Sequence, residues 1–170
     1  NMALIKSISG FRGTIGGKTN DGLTPIDTVK FVSAFAAFIK ETYNKENIKI
    51  VLGRDARVSG EMVSHLVVGT LMGMGVDVID TGLSTTPTVE VAVTEKQADA
   101  GIILTASHNP MQWNALKFLN AKGEFISASE GKRVLELAAS EDFLFAEVDK
   151  LGHCISDTTT IDMHIEKVLA

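Results

Sequence analysis

Apolar positions in this chain alternate between short uninterrupted runs and longer stretches at helical spacing, which predicts strands and helices in turn. Residues 3–8 form a short apolar run, a strand, followed over 9–23 by a loop that carries Gly10, Gly13, Gly16, Gly17 and Gly22. Thr24 as N-cap, Pro25 at the first helical position and Asp27 in the first turn open a helix. Its apolar positions Val29, Val32, Ala36 and Ile39 continue it to about Tyr43. Residues 48–52 make a compact run ending at Gly53, a buried strand, and 60–74 is helical with Gly75 as its stop. The cycle repeats, with a strand over 76–79, a helix over 87–96 beginning at Pro87, and a strand over 100–104 that is apolar throughout. Strands apolar at every position need cover on both faces, so the pattern predicts an α/β domain of three layers with a largely parallel sheet. Further on, residues 116–119, the Lys122-Gly123 turn and Phe125-Ile126 predict a hairpin, and 127–139 a helix. Residues 158–170 return to helical spacing in Ile161, Ile165 and Leu169 without a C-cap signal, as if an element had been cut.

Composition narrows the class. A chain of 170 residues with 45% hydrophobic and 22% charged positions fits one soluble globular domain. With 16 Lys and Arg against 21 Asp and Glu, a net charge of −5 and no basic run, nucleic-acid binding is not expected. The longest apolar stretches, such as 32–39, fall short of the ~18–20 residues that span a bilayer, and no signal-peptide pattern opens the chain. A cytoplasmic protein is expected, in agreement with a single cysteine, Cys154, that cannot form an intrachain disulfide. Asn1 in front of Met2 reads as a cloning remnant.

In open α/β sheets ligands bind beyond the carboxyl ends of strands, so the loops that follow predicted strands carry the chemistry. Four qualify: Ser9-Gly10-Phe11-Arg12-Gly13-Thr14-Ile15-Gly16-Gly17, Gly53-Arg54-Asp55-Ala56-Arg57-Val58-Ser59-Gly60, Thr81-Gly82-Leu83-Ser84-Thr85-Thr86-Pro87 and Thr105-Ala106-Ser107-His108-Asn109-Pro110, with Lys117 on the strand after the last. Hydroxyls, cations and free backbone donors gathered at one edge suit a phosphate. Plainer readings stand beside this one. The glycine loop matches neither a P-loop nor a dinucleotide fingerprint, and its glycines serve turns as readily as phosphate. Arg54-Asp55 reads as a structural pair tying loops together, and Ser107, His108 and Asn109 could be only a polar turn ended by Pro110. A serine hydrolase is disfavoured, because no Gly-x-Ser-x-Gly elbow and no separate His with a carboxylate partner is recognisable. His65, His153 and His164 lack partners at metal-ligand spacing, and no clustered Asp-x-Asp loop occurs.

Thr105-Ala106-Ser107-His108-Asn109-Pro110, followed by Asn114-Ala115-Leu116-Lys117-Phe118, strongly resembles the α-D-phosphohexomutases, the family of phosphoglucomutases, phosphomannomutases and phosphoglucosamine mutases. Ser9-Gly10-Phe11-Arg12-Gly13, the segment Gly53 to Gly60 and the segment Gly82 to Val89 resemble further motifs of that family's first domain, in the same order. The resemblance covers essentially the whole chain. It implies helices on both faces of a mixed, mostly parallel sheet, with residues 2–157 as the first domain and 158–170 as the start of a truncated helix leading to an absent second domain. It implies that Ser107 carries the transferable phosphoryl group, that His108 and Asn109 shape its loop, and that Arg12 faces the phosphoserine or the sugar. Lys117 would assist proton transfer at the sugar hydroxyl, and Arg12, Asn109 and Lys117 would bind substrate. The implied reaction interconverts hexose 1-phosphate and hexose 6-phosphate through a bisphosphate, with a hexose 1,6-bisphosphate as activator. Mg2+ would be held by a phosphate oxygen on Ser107 and by a loop of the second domain. The third domain's sugar-binding loop and the fourth domain's phosphate clamp are likewise absent, so the remaining domains of the same polypeptide are implied partners and this chain alone is expected to turn over little. The alternative is a non-catalytic module that binds a sugar phosphate or other anion with the same loops. Where the family commonly has Asn-Gly, this chain has Asn114-Ala115, and the expectation is a slightly altered turn there. Met111-Gln112-Trp113 leans towards the bacterial phosphoglucosamine mutase or phosphoglucomutase/phosphomannomutase branches.

Overall fold

The computed structural model describes residues 3–7, 9–106 and 108–157, and these build one seven-stranded sheet with helices on both faces. In chain order the elements are β1 (Leu4–Ser7), β2 (Gly10–Thr14), α1 (Pro25–Tyr43), β3 (Lys49–Arg54), α2 (Gly60–Gly73), β4 (Asp77–Leu83), α3 (Thr86–Glu95), β5 (Ala100–Leu104), β6 (Trp113–Leu119), α4 (Ala128–Ser140) and β7 (Cys154–Ser156). The strand order is β1-β2-β6-β5-β3-β4-β7. β5, β3, β4 and β7 pair in parallel, while β1, β2 and β6 add antiparallel pairings on the side of β5.

The expected mixed sheet and its three layers are present, although the pairings divide as three parallel and three antiparallel, a smaller parallel share than the strand–helix alternation suggested. The difference lies in the glycine-rich stretch expected to be a loop, whose residues 10–14 are β2. Two of its glycines are there for close approach. A Cβ at Gly10 would stand 2.0 Å from the Leu116 carbonyl oxygen, and one at Gly13 would stand 2.8 Å from that of Ala3. Asn114 and Ala115, expected at a turn, are consecutive residues of β6 paired with Gly13 and Arg12, and neither has a positive φ. The expected hairpin survives as a single antiparallel bridge between Leu119 and Phe125. The helical pattern expected over 158–170 lies outside the described residues.

Local sequence explains where the helices start. Thr24 and Asp27 form a capping box at α1, the Thr24 hydroxyl accepting from the Asp27 amide and the Asp27 carboxylate accepting from the Thr24 amide at 3.1 Å. The same buried carboxylate accepts from the Asn20 amide and so ties down the end of the loop before the helix. Ser127 and Glu130 repeat the box at α4, and Thr85 caps α3, whose second residue is Pro87.

Two cores lie on opposite faces of the sheet. On one, α1 packs between α2 and α4 and carries Phe31 and Phe35 against the sheet, where Phe11 stacks on Phe31 at 3.8 Å and Phe35 stacks on Phe118 at 4.1 Å. On the other, α3 sets Val89, Ala92 and Val93 on Val51, Ile103 and Leu119. α3 packs on β3 and β5, and the β1–β2–β6 part of that face stays accessible, with Ile5 and Arg12 exposed and Lys117 half-buried.

Candidate functional site

The antiparallel register brings the two expected cations together. Arg12 lies opposite Ala115 and Gly10 lies opposite Lys117, so Arg12 and Lys117 are diagonal neighbours on one face, about 7–8 Å apart at the backbone. Gly10, required by the approach of Leu116, also leaves no side chain directly across from Lys117. Among the described residues neither cation forms an ion pair with a carboxylate.

β5 delivers the neighbouring loop. Fully apolar and buried, it ends at Leu104, after which Thr105 and Ala106 are still buried, His108 is exposed and Asn109 is half-buried. The Asn109 amide donates to the Ala106 carbonyl at 2.8 Å and the Trp113 amide to that of Pro110 at 2.9 Å, two backbone hydrogen bonds ahead of β6. Arg12, Thr105, Ala106, His108, Asn109, Ala115 and Lys117 line a cavity of about 380 Å³. Arg12, His108, Asn109 and Lys117 thus line one cavity, while Ser107 lies outside the described residues. Among the described residues the lining has an arginine and a lysine and no carboxylate, which suits an anion.

Arg57 is the residue that sequence reasoning passed over. Its guanidinium donates through Nη1 to the carbonyl oxygens of Pro110 at 2.7 Å and Trp113 at 3.2 Å, and through Nη2 to that of Asn109 at 2.7 Å. Asp55 holds it, Oδ2 lying 3.5 Å from Nε and Oδ1 accepting from the Arg57 amide. The expected Arg54-Asp55 pair therefore resolves differently: the carboxylate goes to Arg57, while the Asp55 amide donates to Leu104 and the Arg54 carbonyl accepts from Ser84. Beside this clamp, buried Asn114 donates to the Ser59 hydroxyl at 2.8 Å. In the sequence Arg57 stood within a segment singled out for following the β3 run and for its resemblance to a family motif, with nothing to mark its own role.

The remaining loop spends its hydroxyls locally. Thr81 donates to the Leu52 carbonyl at 2.9 Å and shares a hydrogen bond with Ser84, and Thr85 caps α3. His65 and His153 are exposed, and His164 lies outside the described residues. Among the described residues no group of three or more His, Cys, Asp or Glu side chains could hold a metal ion, and the cavity pairs two cations with one imidazole and one amide. This donor set does not fit a divalent cation by itself. The Cys154 thiol is pushed up by desolvation and, to a smaller extent, by the charge of Asp80. Among the described residues no helix is long and apolar enough to cross a membrane.

The family model of phosphoglucomutase/phosphomannomutase, alpha/beta/alpha domain I, matches residues 4–145. A phosphoglucomutase/phosphomannomutase of Thermococcus kodakarensis is 38% identical over 142 residues, which cover 82% of this chain and 31% of the relative. A phosphoglucosamine mutase of Helicobacter pylori is 34% identical over 152 residues, 88% of this chain and 34% of the relative. The chain thus spans about a third of the length of these curated relatives. A solved structure of a phosphoglucomutase/phosphomannomutase family protein from Burkholderia thailandensis superposes with a TM-score of 0.78 at 24% identity, over 97% of this chain and 35% of that one, and shows the same fold.

Proposed function

The chain belongs to the phosphoglucomutase/phosphomannomutase family as its α/β/α domain I, and from that premise we propose that it supplies the phosphoryl-carrying serine, Ser107, of a phosphohexomutase. The observation that supports this best is the pair Arg12 and Lys117, which have no carboxylate partner among the described residues and line one cavity with the residues on either side of position 107. A phosphoserine carries close to two negative charges at neutral pH, and cations already in place stabilise it and the charge that develops during transfer. In the proposed reaction the Ser107 Oγ–P bond breaks as a hydroxyl oxygen of a hexose monophosphate bonds to phosphorus, and the hydroxyl proton passes, with Lys117 assisting, to the Ser107 oxygen that leaves. The bisphosphate turns round, its other phosphoryl group returns to Ser107, and the oxygen it leaves recovers the proton. Arg12 holds phosphate oxygens, Asn109 and His108 shape the loop, and a covalent phosphoenzyme divides one transfer into two positioned in-line steps.

The substrate in this reading is glucose, mannose or glucosamine phosphate, with a hexose 1,6-bisphosphate as activator. Mg2+, when bound, supplies charge neutralisation at the phosphate; its ligands other than a Ser107 phosphate oxygen come from outside the described residues. Residues 2–157 act as the first domain, and partner domains supply the sugar-binding loop and a second phosphate clamp. The 170-residue chain alone is expected to turn over little or no hexose phosphate. The proposed setting is cytoplasmic, as the lone cysteine suits a reducing compartment.

The test is a mutase assay on the full polypeptide that contains this chain, with the three sugar 1-phosphates as substrates. Ser107→Ala should abolish interconversion, and Lys117→Ala and Arg12→Ala should each lower kcat by about 10²–10³-fold. A Ser107→Ala variant that keeps the wild-type rate would overturn the proposal.

A further inference from the structure

We propose that Arg57 is a positioning residue, which fixes the backbone of the loop after Ser107 and through it the angle at which that serine meets the phosphoryl donor and acceptor. The inference rests on the reading of Ser107 as phosphoryl carrier. Arg57 lies in the segment between β3 and α2 and reaches carbonyl oxygens more than fifty residues further along the chain, at Asn109, Pro110 and Trp113. Its side chain is only 13% exposed, and it does not line the cavity of Arg12 and Lys117. Two of the acceptors, Asn109 and Pro110, lie in the loop between β5 and β6, the third, Trp113, opens β6, and none belongs to the helix-packed core. Asp55 completes a closed circuit: its amide is tied to Leu104 at the end of β5, and its carboxylate braces the guanidinium that grips the loop leaving β5.

A guanidinium is a rigid planar fork with five donors, able to serve three carbonyls and a carboxylate at once, which the ammonium of lysine on a flexible stem does not do. Carbonyl oxygens close to a phosphate dianion would repel it, and Arg57 keeps three of the loop's carbonyls engaged with a positive charge. Displacing a reacting group by about 1 Å costs about 100-fold in rate.

The experiment follows phosphoryl transfer from the phosphorylated full polypeptide to hexose monophosphate, together with steady-state kcat and KM and hydrogen exchange. For Arg57→Ala we expect kcat to fall about 100-fold with KM within about threefold, faster exchange at residues 108–113 and unchanged exchange in β3 and β5. Arg57→Lys should not restore the rate, and added guanidinium ion should restore part of it in Arg57→Ala. If Arg57→Ala does not fold, Arg57→Lys carries the test. Either variant folding and transferring at the wild-type rate overturns the positioning role while leaving Ser107 as carrier. A wild-type protein that takes up no phosphoryl group on Ser107 overturns both.

Discussion

Phe118 joins the core to the site, and replacing it measures how strongly. It sits in β6 next to Lys117, fully buried, stacked on Phe35 of α1 at 4.1 Å and edge-on to Phe11 of β2 at 5.8 Å, while Phe11 in turn stacks on Phe31. The strands that carry Arg12 and Lys117 are therefore bolted to α1 through one aromatic cluster. Phe→Ala in a core costs about 3–5 kcal/mol, and two ring contacts worth about 0.5–1.5 kcal/mol each place Phe118→Ala towards the upper end, about 4–5 kcal/mol. At about 2–4 °C per kcal/mol for a chain of this size, the thermal midpoint should fall by about 8–20 °C. Phe118→Leu, which keeps most of the volume, should cost about 1–2 kcal/mol. Urea unfolding followed by far-UV circular dichroism and by the fluorescence of Trp113, the one tryptophan, gives both values and tests for a single transition. A loss below about 1.5 kcal/mol for Phe118→Ala, or an order in which leucine is worse than alanine, would refute the aromatic cluster as the anchor of β6.

Gly10→Ala should destabilise the chain by about 1–3 kcal/mol in the same urea assay, because the added methyl meets the Leu116 carbonyl. Asp27→Ala should cost about 1–2 kcal/mol and raise hydrogen exchange at Asn20 and Thr24, whose amides it now binds. The exposed Arg133–Glu41 pair makes a pH prediction: the Arg133 hydrogen bond holds the Glu41 carboxyl below its ordinary range, and the two charges add a smaller effect in the same direction. A lowered carboxyl pKa in the folded state means that the pair's contribution is present at neutral pH and disappears as pH falls through that lowered range. The stability difference between wild type and Arg133→Ala should shrink towards zero in acid and in high salt, as urea midpoints at several pH values would show.

Much of the fold was legible where local chemistry and burial agree. α1 starts at Pro25 because Thr24 and Asp27 cap it, and β5 spans Ala100–Leu104 because every one of its residues is buried. β2 was hidden because glycines needed for close backbone approach look, in sequence, like turn formers. β7 was hidden for another reason: Cys154, Ile155 and Ser156 are all exposed, and their strand exists only through pairing with β4. Asn114 read as a turn residue, yet it is buried in β6 and satisfied by Ser59, a partner 55 residues away.

The site divides in the same manner. Arg12, His108, Asn109 and Lys117 were visible as motif residues, whereas the register that makes Arg12 and Lys117 diagonal neighbours belongs to the sheet. Arg57 escaped notice because its acceptors are backbone carbonyls, which every residue has and no sequence marks.

The most direct test of the central claim is the intact mass of the full polypeptide after incubation with a hexose 1,6-bisphosphate and Mg2+, with peptide mapping and Ser107→Ala as control. The account predicts a gain of one phosphoryl group on Ser107, absent in the variant and discharged by a hexose monophosphate. A protein that binds the bisphosphate without any such gain would contradict it and leave a non-catalytic sugar-phosphate-binding module in its place.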